Sequence, residues 1–159
     1  MIKSKKVLSL VLALITLISV WGFSTSANAA NTTDTAITQF GASFFYYTYH
    51  TPARLKQDWS PVYVYITDGK RDRVYVRAYG TNNISASTKV NETVDPDISS
   101  YPVDHVTCYR GIEHSVHSYI YEDDYDFALL GFRCPNVLGD EISGWWSPDS
   151  ALTHTDAHM

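Results

Sequence analysis

Val62-Tyr63-Val64-Tyr65-Ile66-Thr67 and Val74-Tyr75-Val76-Arg77-Ala78-Tyr79, joined by Asp68-Gly69-Lys70-Arg71-Asp72-Arg73, decide the fold class. Each run alternates aliphatic residues with aromatic, hydroxyl or charged ones at period two. At that spacing successive side chains leave opposite faces of a β-strand. A polar linker opening with Asp-Gly between two such runs signals a hairpin with a loop of about five or six residues. The expectation is an antiparallel pair with Val62, Val64, Ile66, Val74 and Val76 toward a core. Tyr63, Tyr65, Tyr75, Arg77 and Tyr79 then gather on the opposite surface as one candidate binding face. A slip of one residue would turn every side chain to the wrong side, so the alternation pins the register.

The same texture extends outward. Ser43 to His50 is dense in aromatic and β-favouring types. Val103 to Tyr109 and Val116 to Tyr121 read as strands, and Ile84 to Thr93 as a polar edge strand. Tyr125 to Cys134 fits either a buried strand or a short helix, and Gly131 with its aromatic neighbours favours the strand. Gly144-Trp145-Trp146 leads into Ser147-Pro148-Asp149-Ser150, a turn or the start of a one-turn helix. No amphipathic stretch of helical length follows residue 30. These features predict a mainly β chain, folded as a single antiparallel β-sandwich-like or small barrel domain over residues 40–152. Residues 30–39 read as a flexible lead-in and 153–159 as a mobile tail.

The first 29 residues have another purpose. Lys3, Lys5 and Lys6 form a basic opening, Val7 to Phe23 is almost wholly apolar, and Ala27-Asn28-Ala29 places small residues at a cleavage position. This is the layout of a secretory signal peptide, read by the Sec translocon and removed by signal peptidase after Ala29. A retained anchor is the competing reading, although the run is shorter than the roughly 20 residues of a spanning helix. The expected product is a secreted chain of about 130 residues, enough for one domain with its own core. It carries nine Lys and Arg against seventeen Asp and Glu. That acidity argues against nucleic-acid binding, which needs a clustered cationic surface.

Little else points to chemistry. Cys108 and Cys134 are the only cysteines, and export suggests that they pair in one disulfide. Two separate thiols or a metal pair are the alternatives. His105, His114 and His117 lie close together beside Glu113, but three-residue spacing on a strand sends His114 and His117 to opposite faces. The acidic group Glu122, Asp123, Asp124 and Asp126 lacks the spacing of a calcium loop and reads as a solvated turn. No nucleophile elbow and no phosphate-binding glycine loop is present. Accordingly no catalytic residue, metal ligand or cofactor is assigned. The best recognition signal is aromatic: twelve Tyr, four Trp and six Phe, a supply able to stack on sugars or anchor a protein partner.

Val62-Tyr63-Val64-Tyr65, Val76-Arg77-Ala78-Tyr79-Gly80 and the closing Trp146-Ser147-Pro148-Asp149-Ser150 resemble a family of small secreted proteins of Gram-positive bacteria whose domain has no assigned function. The resemblance implies export and supplies no catalytic residues. The resulting expectation is a secreted, non-enzymatic binding protein for an extracellular or cell-surface ligand. A secreted antibacterial or signalling polypeptide is the alternative, and a small hydrolase using scattered carboxylates a third.

Overall fold

The computed structural model describes residues 32–37, 41–42, 49–98, 102–134, 140–152 and 154–159. The segment expected to be a signal peptide, residues 1–29, and residues 43–48 of the aromatic segment lie outside these residues. Thirteen strands form two sheets, with no helix among the described residues. The first sheet contains β1 (Thr35–Ile37), β2 (Gly41–Ala42), β5 (Val62–Gly69), β8 (Thr93–Val94), β10 (Glu113–Ser118), β12 (Asp140–Ser147) and β13 (Thr155–Asp156). The second contains β3 (Tyr49–His50), β4 (Arg54–Leu55), β6 (Arg73–Thr81), β7 (Val90–Asn91), β9 (Val106–Tyr109) and β11 (Phe127–Arg133). The two sheets form a sandwich, not a closed barrel. Pairing is antiparallel except for β10 with β13, which run parallel.

The expected hairpin does not form. β5 lies between β12 and β10 in the first sheet, and β6 lies between β11 and β9 in the second. The linker carries the chain from one sheet to the other. Alternation at period two is satisfied either way, because facing sheets each need one aliphatic face. Partner supply decides between them: β6 gains a seven-residue pairing with β11, from Phe127↔Thr81 to Arg133↔Tyr75. The buried set was read correctly, although it closes the core from two sides. Val62, Val64 and Ile66 point inward from one sheet, Val74, Val76 and Ala78 from the other, and all six are 0% exposed. Trp146, Ile142, Phe132, Leu130, Val116 and Val106 fill the space between.

Tyr125 to Cys134 contains a strand, as its composition favours. The segment around Gly144 is part of a long strand that the sequence signalled only as a lead-in to a turn. The pairing of β12 with β5 shifts register between Ser143 and Gly144. A Cβ on Gly144 would collide with the carbonyl of Tyr65, so only glycine permits the close approach there.

Two boundaries need correction. Thr35–Ile37 in the lead-in pairs with β12, and Ile37 is in the core. The C-terminal segment is docked: Thr155–Asp156 lies along β10, Ala157 is buried, and His158 bridges to Thr107. The expected disulfide is also absent. Cys108 and Cys134 are both buried but not joined. Cys108 sits opposite Val74 on one side of β6, and Arg133, the residue before Cys134, sits opposite Tyr75 on the other. A whole strand therefore separates the cysteines. Two strand spacings of about 4.8 Å put their Cα atoms about 10 Å apart, beyond the roughly 7 Å that a disulfide spans.

Candidate functional site

The five residues expected to share one surface are divided between the outer faces of the two sheets. Tyr63 and Tyr65 belong to the first. Tyr65 is half-buried and lies opposite Trp145, which is 46% exposed. Tyr63 is covered by His154, with ring centroids 4.8 Å apart. Its hydroxyl is 3.4 Å from Oε1 of Glu113, whose Oε2 is 3.1 Å from Nδ1 of His154. Burial, with the charges of Glu113 and Asp34 adding to it, pushes the Tyr63 phenol up to about 12.

Tyr75, Arg77 and Tyr79 stand on the second sheet, where their neighbours occupy them. The Arg133 guanidinium lies 4.9 Å from the Tyr75 ring centre, and the His105 ring is 4.2 Å from it on centroids. Arg77 is bound to Asp104. Tyr79 is 7% exposed, with the His50 ring at 5.4 Å and the Lys89 ammonium at 5.9 Å. Burial, then the nearby Lys89 charge, lowers the His50 imidazole to about 4, which keeps it neutral. These side chains form a layer in which cations and aromatic rings contact one another.

The most open aromatic is one the strand pattern passes over. Trp59 is 77% exposed, yet the loop that carries it is firmly held. Lys56 and Asp149 form an ion pair of 2.7 Å with side chains 1% and 0% exposed. Lys56 also donates to the carbonyl of Ser60. The N–H of Gln57 donates to Asp149, at 3.2 Å to Oδ2. Asp58 accepts from the Ser60 N–H at 2.8 Å, and Ser60 Oγ accepts from the Ser150 N–H at 3.0 Å. The motif Trp146-Ser147-Pro148-Asp149-Ser150 therefore has a structural task. Trp146 sits in the core, Ser147 donates to the Asp149 carbonyl at 2.7 Å, and Asp149 and Ser150 fasten residues 56–60.

Beside Trp59 a cleft of about 310 Å³ opens, with Tyr119 on its lining and His117, Ser118, Glu122 and Asp95 among its polar groups. Tyr119 is 42% exposed. The sequence signal for this site was the pair of bulky aromatics flanked by turn residues, Asp58-Trp59-Ser60-Pro61 and Tyr119 before the acidic turn. Trp59 lies in no alternating run, and Tyr119 falls inside Val116–Tyr121, which its composition marks only as a strand, so periodicity singles out neither as a site.

The histidine group does not assemble. His114 is 2% exposed and accepts from the Tyr109 N–H at 2.8 Å, whereas His117 is half-buried and contacts Asp156 at 2.8 Å. His105 faces Tyr75 and Asp104. Among the described residues, Asp95, Asp97 and His158 have ligand-type atoms within 4.8 Å of one another. They already form ion pairs, His158 Nδ1 lying 3.1 Å from Asp95 and 3.3 Å from Asp97. Glu122, Asp123, Asp124 and Asp126 are exposed, in and just after a turn.

Together these features define a β-sandwich domain that holds one large aromatic open to solvent on a braced loop. A model for a family described as protein of unknown function (DUF2712) matches residues 25–150, and the chain belongs to that family. No curated protein and no solved structure matches the chain.

Proposed function

We propose that the chain is an exported, non-enzymatic binding protein whose recognition surface is centred on Trp59. The leader supports export, and the placement of Trp59 carries the binding reading. A tryptophan 77% exposed forgoes the burial that would otherwise stabilise the fold, by about 1.5–3 kcal/mol for a large apolar side chain. Its loop is nevertheless fixed by a buried ion pair and a set of hydrogen bonds. A pre-organised aromatic loses little conformational freedom on contact, which is why tryptophan dominates so many binding hot spots.

The test is saturable binding of the labelled mature protein to intact cells and purified cell walls of the producing organism, and to those of its neighbours. Trp59→Ala is expected to weaken binding at least tenfold, as hot-spot truncation does, with unchanged melting. Binding of the variant equal to that of the parent would reject this centre of recognition.

A further inference from the structure

We infer that the cleft between Trp59 and Tyr119 binds a neutral saccharide, one sugar ring lying against the aromatic wall; this rests on the binding reading above and names its ligand class. Size, wall chemistry and charge converge on it. The cleft, about 310 Å³, is at the small end of the range for small-molecule pockets, about 300–1,000 Å³. Its two aromatics are open, Trp59 at 77% and Tyr119 at 42% exposure. The C–H face of a pyranose carries slight positive charge and fits the electron-rich face of an indole or phenol ring.

The polar groups suit hydroxyls. Glu122 on the exposed turn offers a carboxylate acceptor. The Ser118 hydroxyl is closed off from solvent and has no hydrogen-bond partner among the described residues, an omission that normally costs stability. His117 is oriented by Asp156 at 2.8 Å. Asp95 is committed elsewhere, accepting from the N–H groups of Asp97 at 3.0 Å and Met159 at 2.6 Å.

Charge excludes the nearest rivals. No lysine or arginine is on the described lining, so a phosphate or sulfate ester would meet the Glu122 carboxylate with no guanidinium or ammonium to hold it. An apolar peptide side chain would cover Glu122 and Ser118 without bonding to them. A polyhydroxylated ring satisfies both the apolar wall and the polar groups.

Titration calorimetry of the mature protein with β-1,4-linked hexamers of glucose, xylose and N-acetylglucosamine tests this. At least one should bind. Trp59→Ala and Tyr119→Ala should each weaken it about tenfold or more, and Trp59→Phe, which keeps a flat ring, should restore part of the loss. Trp145→Ala, on the outer face of the first sheet, should leave affinity unchanged. Melting curves of the Trp59 and Tyr119 variants should match the parent, and Trp145→Ala should melt slightly earlier, having lost its cross-strand contact with Tyr65. Sugar binding lost in Trp145→Ala but retained in Trp59→Ala would overturn the cleft. Binding to cell walls that is not competed by soluble wall glycan fragments, with none of the hexamers bound, would overturn the saccharide class while leaving the binding reading intact. Binding to neither walls nor hexamers would overturn both.

Discussion

Lys56 and Asp149, on opposite sides of most of the domain sequence, meet in an ion pair of 2.7 Å that is almost wholly shielded from water. Burial lowers the Lys56 ammonium from its ordinary value, and the hydrogen bond and charge of Asp149 pull it back. Removing one partner strands the other charge in a low-dielectric site, at a typical cost of about 3–5 kcal/mol. Asp149→Asn is therefore expected to lower urea stability by roughly that amount. Lys56→Met combined with Asp149→Leu should cost less than the sum of the single changes, because no lone charge remains. Additive losses would show that the two groups act separately.

Val64 and Tyr65 test the alternation within one strand. Val64 is 0% exposed and opposite the buried Trp146, while Tyr65 is half-buried beside the exposed Trp145. Val64→Asp puts a carboxylate into the core and should abolish cooperative melting. Tyr65→Ser should lower stability by about 1 kcal/mol, a cross-strand aromatic contact. Equal damage from both would mean that the outer face is as closed as the core.

The core was legible because alternation is local: Val62, Val64 and Ile66 need only know that one face is apolar. Which strand lies beside them is not local. The turn chemistry of Asp68-Gly69 suits a hairpin, and its competitor, the seven-residue match of β6 with β11, depends on residues some fifty positions away. The same limit hid the cysteines, since export predicts oxidation but says nothing of a strand lying between Cys108 and Cys134. The tail was misread because Thr155–Asp156 is polar and too short for any periodic signal. Its docking comes from backbone pairing and from ionic partners on distant loops. Trp59 was visible as a residue but not as a site, because the loop that presents it is fixed by Asp149 and Ser150 at the far end of the domain.

The docked tail should respond to pH. His158 has a raised pKa, chiefly because its imidazolium donates to Asp95, with Asp97 and Asp156 adding charge. Its contribution is complete below the unfolded value of 6.5 and fades as pH rises through the raised folded value. Burial raises Asp95, but the N–H groups of Met159 and Asp97, with His158, outweigh it and bring the carboxyl below 3.8. That contribution is complete above 3.8 and is lost as pH falls through the lowered value. Tail docking should thus be tightest between 3.8 and 6.5. The readout is hydrogen exchange at Ala157, whose N–H donates to the Ser115 carbonyl at 3.0 Å. Its protection should be greater at pH 6 than at pH 9 after correction for intrinsic exchange, and His158→Ala should remove the difference. Global melting is a separate matter: His50 and His114 are kept neutral by burial, so acidification below 6.5 weakens the sandwich as a whole. Equal protection of Ala157 at both pH values in the parent would refute the ionic account of docking.

The cysteines give the sharpest test of the strand order. Both are 0% exposed, and burial pushes the Cys108 thiol above its ordinary range. A thiol that is neither ionised nor accessible reacts slowly with alkylating agents and oxidants. The protein should therefore resist iodoacetamide while folded and take up two equivalents in denaturant without any reductant. Its intact mass should not change on reduction. Cys108→Ser, which places a hydroxyl in an apolar site, should cost about 1–3 kcal/mol and leave Cys134 no more reactive in the folded state. A mass gain of two hydrogens on reduction would require Cys108 and Cys134 to meet, and β6 could then not lie between β9 and β11.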